Sequence, residues 1–556
     1  MSNKNSLYKR ISSNEIVEDY SLRYAPRAFR RWSPAMVASA SLGSIAALFP
    51  FAISASLVNL VGTQSALIGN IVAMVLCVIV SIPIANAIAK HNVDMDLLTR
   101  GAGFGYIGST ITSLIYATFT IIYFAFEGSI VAQGITGTFG IPLQLSYLIS
   151  ALAVIPMVMF GMTFLSKLQT YTWPIWIVLL LLPIFIVGTL GHFGTAQWIS
   201  FSGLKKAGGP LVDAAAIGLV AGALISLLVQ IGEQADYLRF MKNDEDCNVK
   251  SKRFWTFMSG PGYALFFVVS FTAGTYLASF TSRHIGINSN DPFSSFLYAY
   301  SIVFPHWLGV TLAFLLIVVA QVKINVINAY SGSLSWSNFF SRILHHHYGR
   351  FTWLLMQVGI GLLLMELNVF TQMAALLGFY SNVAVAWIVA VFADIVINRK
   401  LLHIGPSWVE FRRGYMHNIN PVGFVSMVVA SVISIAAYFG VLGSSIQPYS
   451  PFLSGVIALL LVPIIAIATK GKYYLKRSYE DDIHINPESE THICVVCNNE
   501  YETPDTLGCS FYAGSVCSLC CTTESNCHDS CKDNMVIIYS RSSVIEKQNL
   551  VNNIEG

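Results

Sequence analysis

Glu127 and Lys323 are ionisable residues set deep inside long apolar runs, and eight of the ten cysteines crowd between Cys494 and Cys531. A charge inside a membrane span is costly, so it usually faces a cavity, a partner or a solute path. Tyr123 lies four residues before Glu127 in Tyr123-Phe124-Ala125-Phe126-Glu127-Gly128, which puts an aromatic ring and a carboxylate on one helix face. That pair suits a flat solute with hydrogen-bonding edges. Asn325 and Asn328, close after Lys323 and three residues apart, also share a face and offer amide donors and acceptors. Two bland assignments compete: Glu127 and Lys323 neutralising each other as a structural pair, and the asparagines stapling helices together. Asp236, Arg239 and Asp394 fall near ends of apolar runs, where solvated or loop-pairing roles are expected, and His345-His346-His347 reads as an exposed loop tract.

The cysteines carry a different chemistry. Cys494-x2-Cys497 and Cys517-x2-Cys520 are separated by 19 residues, the spacing of a zinc knuckle or ribbon. Cys509, Cys521, Cys527 and Cys531, with His492 or His528, supply ligands for a second site. An iron–sulfur cluster is the competing assignment. In a reducing cytoplasm thiolate–metal ligation is favoured over disulfides. A unit this small lacks the core to fold alone, so bound zinc would supply its folding energy. A regulatory or docking role follows, with any cytoplasmic signalling partner a separate protein.

The elements that position these groups are membrane spans. The 556 residues are 54% hydrophobic and 11% charged, with a mean hydropathy of +0.62, whereas soluble domains carry roughly a quarter charged residues. A net charge of +3 gives no footing for nucleic acid. Runs long enough to cross a bilayer recur near 34–58, 63–89, 104–134, 145–165, 170–190, 211–235, 255–280, 304–330, 351–366, 369–397, 422–443 and 452–470, which makes twelve spans. The narrowest cut is the hairpin from Glu366 to Val369.

The polar arm before the first run carries Glu15, Glu18, Asp19, Arg23, Arg27, Arg30 and Arg31, and no cleavable signal peptide precedes it. With the arm inside, the inner segments hold 25 Lys and Arg, against Lys205, Lys206 and Arg283 outside. That asymmetry supports the count and places both termini in the cytoplasm, with the plasma (cell inner) membrane as the expected location. Three units follow: an arm over 1–33, a membrane body over 34–477 and a Cys-rich tail over 478–556, opened by Glu480, Asp481, Asp482, Glu488 and Glu490.

Helix breakers fall in corresponding first spans of two five-span halves: Gly43 and Leu48-Phe49-Pro50-Phe51 in the first, and Gly218, Gly222 and Gly232 in the sixth. Discontinuous helices are how transporters expose backbone groups to a solute at mid-membrane, and Phe51 joins the candidate solute contacts on that ground.

These residues resemble the nucleobase-cation symporter family, which includes cytosine and purine permeases and hydantoin and allantoin transporters. The likeness runs from about Asp19 to Arg477. It is carried by Tyr24-Ala25-Pro26-Arg27-Ala28-Phe29-Arg30-Arg31-Trp32, Gly101-Ala102-Gly103-Phe104-Gly105, Ala235-Asp236-Tyr237-Leu238-Arg239-Phe240 and the stretch Asn328 to Asn338. The resemblance implies an all-α membrane protein with a leucine-transporter-like 5+5 inverted repeat plus two trailing helices. By position it implies an aromatic stacking residue at Tyr123, a solute-binding side chain at Glu127 in place of glutamine, helix 6 contacts at Leu227 and Val229 beside Gln230, and a helix 8 asparagine at Asn325, with Asn328 on the same face. The family's sodium ligands on helix 8 fall at Lys323 and Ile324, which offer no oxygen for a hard cation. Proton coupling through Lys323 or Glu127 is therefore expected instead of sodium.

The function expected is a secondary active transporter for a nucleobase or related heterocycle; the alternative is a transporter-like sensor signalling through the tail. No nucleotide-binding glycine loop, nucleophile elbow or intramembrane metalloprotease signature argues for an enzyme.

Overall fold

The computed structural model describes residues 22–30, 32–159, 161–203, 211–242, 249–285, 291–477, 482, 484–486 and 488–532. Glu15, Glu18, Asp19, Arg31, Lys205, Lys206, Glu480 and Asp481, and the expected tail boundary at 478, lie outside the described residues.

Twelve helical segments match the twelve apolar runs. Among the described residues nine helices are long and apolar enough to cross a membrane, and a pair bent by 47° forms a tenth. Leu143–Met159 and Arg350–Glu366, 17 residues each, complete the set at about 25 Å, near the shortest length that spans.

α1 comprises α1a (Pro34–Ser44) and α1b (Phe49–Val61). It is followed by α2 (Thr63–His91), α3 (Thr110–Phe139), α4 (Leu143–Met159) and α5 (Gly161–Thr189). The second half begins with α6, made of Ala214–Leu224, a tightened turn at Ile225–Val229, and Gln230–Leu238. It continues through α7 (Gly262–Ile285), α8 (His306–Leu344), α9 (Arg350–Glu366) and α10 (Met373–Ala393). α11 (Pro421–Tyr438) and α12 (Ser450–Ala468) pack on α10 and on each other.

Local chemistry explains the breaks. Ser33 accepts from the Met36 amide and caps α1a, while Pro50, lacking an N–H, is tolerated in the first turn of α1b. The intervening Ile45–Leu48 leaves backbone amides for other partners. In α6 the irregularity is milder: the ladder tightens to 3₁₀ without a second separated half. The α9–α10 hairpin is real, turned by Asn368 in the left-handed region. Gly62, at φ +82°, joins α1b to α2 where a Cβ would meet the Phe201 carbonyl at 2.9 Å.

Two boundaries differ from expectation. α8 is 39 residues long, about 58 Å, so Asn328 to Asn338 lies inside it rather than after it. Its Ser- and Gly-rich sequence reads as a loop, but tertiary bonds hold it helical. Ser335 Oγ donates to the Ser113 carbonyl at 2.7 Å, and Gln357 of α9 lies where a Cβ on Gly332 would sit. Residues 255–261 do not belong to α7; they fall in a separate helix (Val249–Ser259) and the turn after it.

α3 and α8 pack along each other at the centre of the body. α12 instead presents Val456, Leu460, Ile464 and Ile467 outward, a helical-period apolar stripe suited to lipid.

Candidate solute site

The break in α1 lies against α3 and α8. Gln321 of α8 bridges them: its Oε1 accepts from the Leu48 amide at 2.7 Å, and its Nε2 donates to the Glu127 carboxylate and, at 3.3 Å, to the Glu127 carbonyl. The Phe49 amide also faces that carboxylate. Glu127, 1% exposed, thus sits at the positive N-terminal end of α1b, where a helix favours negative charge.

An aromatic wall flanks it. The Phe49 ring lies 4.9 Å from Tyr123 and stacks on Phe126 at 5.9 Å, and Phe119 closes on Tyr123 at 4.3 Å. Phe51 is turned to the other side: it packs on Phe296 at 5.2 Å and lies against Gly274 of α7. The break therefore offers Phe49 to the candidate site, because residues two apart on a helix point to nearly opposite faces.

Asn325 is one turn after Gln321, and its Nδ2 lies 3.4 Å from where a Cβ on Gly128 would be. Neither amide atom of Asn325 has a hydrogen-bond partner, nor has Asn328 Nδ2, although both residues are 1% exposed. A buried polar group left unsatisfied costs roughly 1–3 kcal/mol, so these amides point to a site built for water or a polar solute. The Asn325 side chain makes no interhelical hydrogen bond in this structure. Leu227 and Val229 are buried in the tightened turn of α6, and Gln230 donates to the Glu233 carboxylate.

Lys323 faces away from Glu127. Its Nζ lies 5.7 Å from the Trp176 ring of α5, while Glu127 takes its bonds from Gln321 and the α1 break. The competing assignment of these two as a structural pair thus gives way to two separate arrangements.

Glu233 and Gln321 were not singled out in the sequence. Glu233 is 0% exposed, its Oε1 has no hydrogen-bond partner, and it feels the Glu127 charge. Its signal is its place inside the run 211–235, three residues after Gln230, which closeness to the span end obscures.

Asp236, Arg239 and Asp394 are 2%, 0% and 0% exposed, which sets aside the solvated half of their expected roles and leaves the pairing half. Asp236 accepts from Tyr116 at 3.4 Å and from Ser331. Arg239 pairs with Asp94 at 3.9 Å and donates to Tyr330 at 3.0 Å. Asp394 pairs with Arg399 at 2.8 Å. With Arg342, which donates to the Tyr106 carbonyl at 2.9 Å and to Ser109 at 2.6 Å, these groups form a buried polar layer on the face of the body that carries the tail. On the opposite face, a cavity of about 660 Å³ is lined by Ser56, Asn59, Leu219, Gly222, Thr371 and Tyr438. Tyr123, Glu127 and Asn325 do not line it.

The tail holds a second candidate centre. The Sγ atoms of Cys494, Cys497, Cys517 and Cys520 all lie within 4.8 Å of one another. Four thiolates around one ion at about 2.3 Å would be about 3.8 Å apart, so the set fits a tetrahedral metal. Amide donors support it: Cys517 N–H points to Cys494 Sγ and Cys520 N–H to Cys517 Sγ, both at 3.4 Å. Hydrogen bonds from the Cys517 and Cys520 thiols hold the Cys494 thiol far below its usual value. Two two-stranded antiparallel sheets carry the set: β1 (Thr491–Ile493) with β2 (Glu500–Glu502), and β3 (Thr506–Cys509) with β4 (Gly514–Cys517). Cys509, Cys521, Cys527 and Cys531 are half-buried free thiols outside that set. His492 instead accepts from the Asn486 amide at 3.1 Å.

No family model matches the chain, and no curated protein matches it in sequence. Solved structures do. Mhp1, a nucleobase-cation-symport-1 family transporter, in a closed conformation with bromovinylhydantoin bound, is 16% identical over 81% of this chain and 95% of its own, with a TM-score of 0.64. Its inward-facing conformation is 17% identical over 81% and 93%, with a TM-score of 0.60. A substrate-bound, outward-open Na⁺-coupled sialic acid symporter is 14% identical over 83% and 93%, with a TM-score of 0.54. At these identities the likeness establishes the fold: the membrane body has the 5+5 architecture with two trailing helices.

Proposed function

We propose that a chain with this architecture and these buried polar groups is a secondary active transporter for a flat, hydrogen-bonding heterocycle of the nucleobase, hydantoin or allantoin type. The observation that supports this most directly is the pair Asn325 and Asn328. Both amide atoms of Asn325 and Nδ2 of Asn328 are buried and unsatisfied one helix away from the Glu127 carboxylate and the Phe49–Tyr123 rings. Such a set offers stacking faces and amide donors and acceptors, the two things a heterocycle needs. Leu227, Val229 and Gln230 supply the facing wall from α6, and Phe51 supports α1b from behind rather than touching solute.

Coupling is proposed to use protons, with Glu127 and Lys323 as exchanging groups, since helix 8 offers a lysine and an isoleucine where sodium would need oxygens. Alternating access would move the two repeats about this site. The tail is proposed to bind zinc through Cys494, Cys497, Cys517 and Cys520 and to lie in the cytoplasm of a plasma-membrane protein. The excess of Lys and Arg on the inner segments supports that orientation.

Uptake of radiolabelled cytosine, hypoxanthine, hydantoin and allantoin into vesicles holding the purified chain tests this reading. Accumulation of one of them, abolished by Glu127→Ala, is expected. Saturable binding without accumulation would favour the sensor reading, which the contacts between tail and body support.

A further inference from the structure

The Cys-rich tail is not a pendant unit; its polar groups engage three separate segments, one in the arm ahead of α1a and two in the membrane body. Ahead of α1a, Arg23 pairs with Asp505, Tyr24 donates to Glu502, and the Arg27 amide donates to Glu502 at 2.7 Å. Ahead of α11, Arg412 donates to the Thr506 carbonyl at 2.8 Å. Arg413 donates to the carbonyls of Cys521 and Glu524 at 2.8 and 2.6 Å and pairs with Asp529 at 2.8 Å. Past the end of α8, His345 Nδ1 meets the Thr522 carbonyl at 3.3 Å, so this residue of the loop tract is half-buried rather than exposed.

These are built contacts rather than chance surface ones. Asp505 is 0% exposed, Arg412 6% and Arg413 7%. The Arg412 guanidinium is aimed by Glu410, at 2.7 Å, before it reaches Thr506. Polar groups desolvated this far destabilise the protein unless paired, so the body's surface is shaped for this tail. The partners on the tail come from β2, from the residues joining β2 to β3, from the first residue of β3, and from the helix Ser518–Thr523 and the residues after it. The four-cysteine cluster ties those pieces together, through Cys494 and Cys497 on one side and Cys517 and Cys520 on the other, beside hydrogen bonds such as Ser515 Oγ to the Ile493 carbonyl at 2.6 Å and Ser518 Oγ to the Asp505 carbonyl at 3.1 Å.

The three engaged segments belong to parts that alternating access must displace. Residues 22–32 lead into the broken α1 of the first repeat, and His345 ends α8 of the second. Residues 412–418 join the repeats to the trailing helices. A rigid body bonded to all three resists their separation.

We propose that the metal-loaded tail is an intramolecular clamp, seated on the tail face of the membrane body, that holds the segment before α1 against the ends of α8 and α11 and restrains opening toward that face. The consequence for transport rests on the transporter reading above; the metal-dependent docking does not. Loss of metal releases the clamp because the tail cannot stay folded without it.

Hydrogen exchange of the full chain in nanodiscs, with and without a strong zinc chelator, tests the docking. Peptides covering 22–30 and 409–418 should exchange at least about tenfold faster after metal removal, the factor that corresponds to losing one good buried contact. Arg413→Ala should produce the same release at 409–418 while the metal stays bound. Unchanged protection of both segments, with residues 491–532 exchanging freely, would overturn the clamp. If docking responds as expected, chelator should raise the rate of solute exchange across vesicles that contain a transported solute. No uptake of any solute by any variant would refute the transporter reading and leave the docking result standing.

Discussion

Gln321 and Glu127 form the joint of the membrane body: one side-chain amide donates to both the carboxylate and the backbone carbonyl of the glutamate, 194 residues away in sequence. The other end of the same amide accepts the Leu48 N–H freed by the break in α1. Three helices thus meet at a single side chain.

Gln321→Ala should destabilise the protein by about 1–3 kcal/mol, since it strands the Leu48 amide and the Glu127 carboxylate together. Thermal unfolding in detergent checks this. Gln321→Glu, which cannot donate, should be as damaging.

Asn325→Ala separates stability from binding. An unsatisfied buried amide contributes no internal bond, so its removal should leave the melting temperature unchanged or raised. Solute affinity should fall about tenfold or more if a hydrogen bond to solute is lost. A lowered melting temperature with intact affinity, read by thermal shift and equilibrium binding, would mark Asn325 as a staple.

Replacing sodium by choline should leave uptake unchanged, whereas collapsing a proton gradient with an uncoupler should abolish accumulation. Lys323→Met should then retain exchange of labelled for unlabelled solute and lose net accumulation. Strict sodium dependence overturns the coupling proposal.

Purified full chain should carry metal that Cys494→Ser and Cys517→Ser each remove, as measured by elemental analysis. Because the ligands bind as thiolates, metal binding releases protons and affinity should fall as pH is lowered. Absence of zinc and iron from the wild-type chain would dismiss the metal centre.

Composition and run length determined the number of the spans and the place of most, because crossing a bilayer is a local demand on about 20 consecutive residues; the end of α8 and the start of α7 were not set this way. The Cys494-x2-Cys497 and Cys517-x2-Cys520 spacing likewise marked the four-thiol set, since each pair comes from one short stretch of chain. Which side chains meet was decided only in three dimensions. That Phe49 rather than Phe51 faces Tyr123, that Glu127 answers to Gln321 and not Lys323, that Asp236, Arg239 and Asp394 are buried, and that α8 continues through its serines all depend on partners far along the chain. A polar residue in a span must find a partner, but hydropathy records only the need; the packing of α1, α3 and α8 supplies the partner.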